Sequence, residues 1–312
     1  MRDEMDKLIE GKTKIITPYS EVGAFKNQKH QLVKVITKDS LTGNDGEIKK
    51  DLPLAKAKTI QNCNIFNILK SHGIPSAYVR KDLDSDTEFI SKQCNMIPLE
   101  CVMRRKPWGS YLKRHPMNDS IGITFKSPIA EFYLKATDQP IKTKTYNDPI
   151  IYIYDHLMLD ASHTHESVWP SQDWYLHPPK TIFSPDNFEK MTPIANYHTM
   201  EYIENELMRP TFRVLEDLWR MFDVTLVDLK IEVGDTVEDS DGGKKNIGPA
   251  TGELVIADVI DNDSWRIWPN GNPKEQLDKQ LFREGGDDND VISNYEKVTH
   301  LTERMKAWYY RA

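Results

Sequence analysis

The sequence predicts an α+β fold, and three stretches carry that prediction. Residues 225–234, TLVDLKIEVG, alternate strictly: Val227, Leu229, Ile231 and Val233 point one way, and Asp228, Lys230 and Glu232 the other. Period-2 alternation marks a half-buried strand. Residues 55–72 gather Ile60, Ile65, Phe66, Ile68 and Leu69 on one helical face, with Gly73 as a stop and Pro75 beyond it. Residues 199–222 keep helical spacing through Ile203, Leu207, Phe212, Leu215, Leu218 and Phe222. Pro210 interrupts that run, so two helices or one kinked helix is expected.

The remaining elements follow in chain order. Residues 7–17, KLIEGKTKIIT, read as a strand, a turn at Gly11 and a second strand that sets Lys12 and Lys14 on one face. Two ammonium groups beside a glycine turn suit phosphates, although lysines also protect an exposed sheet edge. QLVKVITKDS at 31–40 is a strand, and LTGNDGEIKK at 41–50 a turn. AYVRKDLD and TEFISKQC are short strands that give the helix at 55–72 a small sheet to cover. Leu99 to Met103 is a strand delivering Arg104 and Arg105 to a turn, Lys106 to Ser110, with Lys113 and Arg114 after it. Arginine forks match carboxylates and phosphates, and Gly109 allows close backbone approach beside the Ser110 hydroxyl. An ordinary cationic loop has the same composition.

Residues 125–137 read as a strand, and FSPDNFEKM as a helix start with Ser184 as N-cap and Pro185 in the first turn. His163 and His165 form a His-x-His pair without a third ligand at metal spacing, and read as a solvated loop. Residues 252–268 return as a strand, Leu254 to Ala257, ending in Asp258; an acidic turn with Asp261 and Asp263 follows, then Arg266 between Trp265 and Trp268. Acid and base in this order beside apolar walls suit a metal and an anionic substrate, although a strand pair with a solvated face would look similar. Residues 234–251 read as a polar loop. Residues 289–310 read as a terminal helix with Val291, Tyr295, Val298, Leu301 and Met305 on its apolar side. That helix packs on its own domain or on a second subunit, which leaves a homo-oligomer open.

Composition bounds the function. At 312 residues the chain makes one large domain or two ordinary ones, and 38% hydrophobic with 29% charged residues implies a sizeable core. A net charge of −7 argues against a general nucleic-acid binder. No apolar leader follows Met1 and no run approaches a membrane span, so no membrane partner is expected. Cys63, Cys94 and Cys101 have no metal spacing and are too few for a disulfide framework, which makes a reducing cytoplasm the default.

The ordered set GKTK, KDSLTGNDG, GIPS, IPLECVMRRKPWGS, YNDP, LVDLKIEVG and DVIDNDSWRIW resembles the phosphoribosylaminoimidazole-succinocarboxamide synthase (SAICAR synthetase) family, from about Lys7 to Arg283. The match is best at 96–113 and 225–268 and poor at 151–200; residues 284–312 carry no motif that it assigns. The resemblance implies an α+β protein of two sheet-and-helix lobes with an ATP cleft between them. It implies a smaller nucleotide-binding lobe over 1–100 and a larger substrate- and metal-binding lobe with the terminal helix over 101–312.

It also implies site residues. Gly11, Lys12 and Lys14 match the ATP-phosphate strand. Arg104 and Ser110 match residues that hold the phosphorylated imidazole, and Asp148 an aspartate near it. Asp228, Lys230 and Glu232 match the Asp-x-Lys-x-Glu strand, with Lys230, Asp228 and Arg266 as expected catalytic residues. Glu232 and Asp258 match the magnesium-associated carboxylates. Asp263 and Arg266 match residues on the substrate's opposite side, and Lys279 and Arg283 a basic helix after them. In a regular hairpin Asp258 would lie nearer Asp228 than Glu232, so pairing logic leaves the second metal ligand open while the resemblance names Glu232.

The implied activity is ATP-dependent ligation of L-aspartate to carboxyaminoimidazole ribotide (CAIR), with ATP and Mg²⁺, through an acyl phosphate, in de novo purine biosynthesis. Such chemistry asks for charge neutralisation and alignment more than for an enzyme nucleophile. Four positions depart from the pattern: Val259 stands where an acid is usual, Arg105 where asparagine is usual, and Pro107 and Trp108 where small residues are usual. They keep open a ligase of the same fold with another carboxylate or amine. A non-catalytic nucleotide-binding homologue is the third reading.

Overall fold

The computed structural model describes residues 8–20, 30–43, 48–153, 173–238 and 252–310. The chain is α+β and divides into two compact units: unit 1 is residues 1–96, 213–226 and 231–312, and unit 2 is residues 97–212 and 227–230. Residues 231–312 therefore cluster with the N-terminal residues. The terminal helix and the strand at 254–257 find their packing partners there.

Unit 1 begins with β1 (Ile9–Glu10), β2 (Lys14–Tyr19) and β3 (Leu32–Thr37). The hairpin β4 (Ser40–Gly43) and β5 (Ile48–Asp51) follows where the sequence predicts only a turn. Helix α1 (Ala55–Ser71) is next, ended by Gly73 at φ 72°, a conformation that costs other residues more. Strands β6 (Tyr78–Lys81), β7 (Glu88–Lys92) and β8 (Cys94–Met96) complete the segment. An antiparallel sheet runs β1-β2-β3-β7-β6. Ile65, Phe66, Ile68 and Leu69 of α1 are buried, as the periodicity requires. So are Lys58, Thr59, Gln61, Asn62 and Asn64 on other sides of the same helix.

Unit 2 contains β9 (Leu99–Arg104), α2 (Ser110–Arg114), β10 (Ile129–Leu134), the small hairpin β11 (Gln139–Ile141) and β12 (Lys144–Tyr146), then β13 (Ile150–Ile153), β14 (Trp174–His177) and β15 (Glu189–Met191). Its sheet runs β15-β14-β13-β10-β9. Tyr152, His177, Phe183 and Phe188 pack ring against ring beside it. The helix expected after Ser184 is a single 3-10 turn, Pro185–Asn187, capped by Ser184, because the chain re-enters the sheet as β15. His163 and His165 lie outside the described residues.

From Tyr197 to Arg220 the chain is one helical run: α3 (Tyr197–Tyr202), a π-helical stretch (Ile203–Met208) and α4 (Arg209–Arg220). This decides between the two shapes that Pro210 allows. A proline has no N–H and crowds the carbonyl four residues back, and wider winding just before it relieves both. Arg209 reaches Glu204 five residues back, a spacing that suits π winding.

Strand β16 (Val224–Thr236) follows, then β17 (Leu254–Ala257), β18 (Trp265–Pro269), α5 (Gln280–Arg283) and α6 (Asp288–Tyr309). In unit 1, β16 pairs with β17 and β8, while its Val227 accepts the Arg105 N–H within unit 2. Asp228 and Glu232 are 4% exposed, so the two acids on the polar face of β16 are not solvated. α6 packs on α1 and buries Val291, Tyr295, Val298 and Met305.

Gly234 of β16 lies between β17 and β8, and a Cβ there would stand 2.9 Å from the Asn95 carbonyl oxygen. Gly234→Ala is expected to lower stability by about 1–3 kcal/mol, read as a lower urea midpoint with unchanged slope.

Candidate active site

In unit 2 the end of β9 delivers Arg104 into a dry polar network; the residue is 3% exposed. All five of its N–H donors are used. Nε donates to Glu131. Nη1 donates to Asp228 Oδ2 at 2.6 Å and to the Trp108 carbonyl at 3.4 Å. Nη2 donates to Ser110 Oγ at 3.1 Å and to the Tyr133 hydroxyl at 3.3 Å. Glu131 also accepts from Arg114 and, at 3.0 Å, from Tyr133. Arg114 donates in turn to the Pro179 carbonyl at 2.8 Å. Two guanidiniums thus face two carboxylates, a balance that burial demands.

Burial opposes ionisation of Glu131, but Arg104 and Arg114 outweigh it and hold its carboxyl below the ordinary value. Burial equally opposes the Arg104 charge, and Glu131, Tyr133 and Asp228 restore it. Ser110 starts α2 directly after Gly109, whose φ of 61° and ψ of −128° are open to glycine. Lys230, two residues along β16 from Asp228, donates to Glu100 at 3.1 Å. Asp148, at φ 46°, accepts the Ala136 N–H at 3.2 Å and closes the connection between β10 and β13. Unit 2 therefore brings Arg104, Ser110 and Asp228 together, with Lys230 on the next outward position of the strand. Arg105 donates to the Phe125 and Lys126 carbonyls at 2.9 and 3.2 Å, which ties a neighbouring loop.

In unit 1 the Gly11 N–H closes on the Lys14 carbonyl at 2.8 Å, so GKTK is a tight turn entering β2. Lys12 is exposed, and Lys14 forms an ion pair with Asp258. Glu232 stands opposite Ala257 in the β16–β17 register, and Asp258 is the next residue, turned out of the strand at φ 63°. Asp258 thus lies nearer Glu232 than Asp228, the reverse of the regular-hairpin expectation. Pairing covers only Glu232–Asp235 with Leu254–Ala257, so the strand ends before it reaches the level of Asp228.

The turn after Asp258 is held from α1. Asn62 Oδ1 accepts the Ile260 N–H at 3.0 Å, and Gln61 Oε1 accepts the Asn262 N–H at 2.9 Å. Asp261 Oδ1 accepts the Asp263 N–H at 2.8 Å. Asp263 itself accepts from Lys279 Nζ at 3.3 Å and from the Tyr295 hydroxyl. Lys58, 1% exposed, donates to the Ser40 carbonyl at 3.1 Å and faces both carboxylates electrostatically.

Burial pushes the Asp261 carboxyl up, and the Asp263 charge pushes it further. Burial also resists the Asp263 charge, but Lys279, Lys58 and the Tyr295 bond outweigh it and hold that carboxyl down. Burial lowers the Lys279 ammonium against the pull of Asp263. Arg283 follows on α5, with Nη1 3.4 Å from Gln280 Oε1, and Arg266 is half-buried on β18.

Several of these groups escape sequence reading. Glu131 and Tyr133 sit in an apolar strand, where a lone carboxylate among aromatics was the available signal. Gln61 and Asn62 lie on the polar side of α1 and look like solvated residues. Tyr295 looks like one more apolar position of a packing stripe. Among the described residues no three His, Cys, Asp or Glu side chains cluster as a metal cage.

Each unit thus sets cationic side chains against carboxylates, Arg104 and Arg114 with Glu131 and Asp228 in one and Lys14 with Asp258 in the other, an arrangement compatible with an enzyme of the ligase or phosphoryl-transfer class. Comparison with known proteins narrows this. A family model described as SAICAR synthetase matches residues 7–162 and 182–301. The phosphoribosylaminoimidazole-succinocarboxamide synthase of Chloroflexus aurantiacus is 34% identical over 309 residues, covering 96% of this chain and 97% of its own. That of Roseiflexus castenholzii is 32% identical over 312 residues, covering 98% of each. The crystal structure of the Ehrlichia chaffeensis synthase shares the fold with a TM-score of 0.66 at 22% identity, over 95% of this chain and 97% of that one. A SAICAR synthetase in complex with ADP does so with a TM-score of 0.63 at 23% identity, over 95% and 97%. The chain belongs to the SAICAR synthetase family and is an ATP-dependent ligase of purine biosynthesis.

Two outcomes follow from the charges. Glu131→Gln leaves Arg104 and Arg114 short of a counter-charge and is expected to cost about 3–5 kcal/mol in denaturant unfolding. Asp261 has a folded pKa raised above its unfolded value, so the folded state binds the extra proton and stability falls as pH rises from about 4 through the raised pKa. Asp261→Asn is therefore expected to melt higher than the parent at pH 7, with the gain shrinking to nothing near pH 4.

Proposed function

We propose that the protein joins L-aspartate to CAIR, with ATP cleavage, through an acyl phosphate. The observation that carries this reading is the Lys14–Asp258 ion pair, one residue past the strand partner of Glu232. A lysine of the phosphate-strand type meets a carboxylate of the metal-binding type at one point. In the reaction the CAIR carboxylate oxygen attacks the γ-phosphorus, ADP leaves, and the acyl phosphate forms. The aspartate amine then attacks the acyl carbon, phosphate leaves with the C–O electron pair, and the ammonium proton passes to solvent or phosphate.

Lys12 and Lys14 would offset phosphate charge, and the Gly11 turn keeps the chain close enough for them to do so. Glu232 and Asp258 would hold Mg²⁺ with nucleotide phosphate oxygens, since this ion commonly uses one or two carboxylates plus phosphates, and when bound it would draw charge off the γ-phosphoryl group. Arg104 and Ser110 would orient the ribotide. The long bond from Arg104 to the Trp108 carbonyl is the one a phosphate oxygen would replace most cheaply. Asp228 keeps the Arg104 fork in plane, and Lys230, steadied by Glu100, would neutralise charge developing at the transferred group. Arg266, Lys279 and Arg283 would meet the substrate's remaining anionic groups and Asp263 would accept from its hydroxyl or amine donors, while Asp148 supports the ribotide side through its backbone contact.

Three free cysteines support a cytoplasmic setting, and no helix among the described residues is long and apolar enough to cross a membrane. The commitment of Arg105 to loop carbonyls weakens one motive for a different substrate.

The test is ADP release by the purified protein with Mg-ATP, CAIR and L-aspartate, each omitted in turn. Release that needs all three, and falls about 100-fold or more in folded Asp258→Asn, is the expected result. A folded protein that binds ATP but releases no ADP with the full set would overturn the reading.

A further inference from the structure

We propose that Tyr295, on the C-terminal helix α6, is a positioning residue that fixes the Asp263 carboxylate for substrate. The proposal rests on the reading of Asp263 as a substrate-facing group.

Asp263 stands in the turn between β17 and β18, where no strand neighbour holds its backbone. Helix α1 supplies the substitute through Asn62 and Gln61. Gln61 is the hinge of the arrangement: its Oε1 accepts the turn's Asn262 N–H at 2.9 Å, and its Nε2 donates to the Tyr295 carbonyl at 2.9 Å and Thr299 Oγ1 at 3.0 Å. One side chain thus sets the turn and α6 in a common frame. Within that frame the Tyr295 hydroxyl donates to Asp263 Oδ1 and Lys279 takes Oδ2. The lysine contact, at 3.3 Å, is longer than the 2.7–2.9 Å usual for charge-assisted bonds, which leaves the phenol as the closer tether.

The Tyr295 ring is fully buried among Leu41, Leu52, Leu54, Phe282 and Val291, so the hydroxyl has no other way to point without disturbing the core. The groups that face this carboxylate are Lys58 from α1, Asp261 in the same turn, Lys279 before α5 and Tyr295 from α6, with Arg283 of α5 acting on Tyr295 and Lys279, and Lys14 of β2 acting on Asp261. Of the groups facing Asp263, Tyr295 alone is uncharged at neutral pH, so removing its hydroxyl changes alignment and leaves the charge balance intact.

The test is steady-state kinetics of the full chain with each of the three substrates varied, for Tyr295→Phe, Asp263→Asn and the double variant. Tyr295→Phe keeps the buried ring. It is expected to raise the KM of one anionic substrate about 3- to 10-fold with kcat little changed, the size of one hydrogen bond. It is also expected to move the acid limb of the kcat/KM–pH profile upward, because Asp263 loses a donor to its charged form. The double variant should be no worse than Asp263→Asn alone. KM does not depend on the folded fraction, so the comparison survives some loss of stability. An impaired Asp263→Asn beside a Tyr295→Phe with parental KM and pH profile, or effects that simply multiply in the double variant, would overturn the positioning role. An unimpaired Asp263→Asn would instead remove Asp263 from the substrate site, and the proposal with it.

Discussion

A thirteen-residue strand whose polar face buries two acids, Asp228 and Glu232, cannot leave them to water, and much of the arrangement around it follows from that constraint. The apolar residues of β16 satisfy one side by ordinary packing. On the other side Asp228 needs a donor and finds the Arg104 fork; Lys230 needs an acceptor and finds Glu100. Glu232 is delivered one register step from Asp258, itself matched by Lys14. Desolvation makes a partner obligatory for the buried Asp228, since an unpaired buried charge costs several kcal/mol, while the half-exposed Lys230–Glu100 pair is held less strictly. Within each unit the polar row thus recruits side chains from distant sequence positions, Arg104 and Glu100 in one and Lys14 with Asp258 in the other.

The fold was legible wherever hydrophobic period and stop signals agreed. The strand at 225–234, helix α1 with its Gly73 stop, and the apolar stripe of α6 are examples, because burial alone decides them. What escaped was decided by tertiary partners. Ser184 and Pro185 carry a proper helix-start signal, yet sheet pairing takes the chain after one turn. Pro210 announced a disturbance without saying which, and π winding is the form that keeps the run continuous. The residues 41–50 look like a turn because glycine and asparagine dominate locally, while the flanking β4 and β5 pair with each other.

The same division holds at the site. Arg104, Ser110, Lys14, Asp258 and Asp263 were singled out by the family resemblance, because a cationic turn or an acidic loop alone fits a solvated surface equally well. Their supports were not. Glu131, Arg114 and Tyr133 act by filling donor and acceptor valences, and nothing in a linear pattern says which arginine will meet which carboxylate. Gln61 and Asn62 do their bonding from a helix side that reads as solvent-facing. Pairing logic also misplaced Asp258, because the register, which no linear pattern states, sets Ala257 opposite Glu232 and so leaves Asp258 one step from it.

Gln61 and Tyr295 are 234 positions apart in the chain, and their contact has a consequence for biosynthesis. At ordinary translation speeds that separation corresponds to roughly 10–50 s on the ribosome. Through that interval α1 presents Gln61, Asn62 and Asn64, together with its apolar face, before the helix that covers them has been made. Unit 1 is built from the first and last parts of the chain, so its nascent N-terminal portion must wait, exposed, for its closing piece. The helix that completes the Asp263 turn follows that turn in the chain, and the turn cannot reach its final form until α6 has been made.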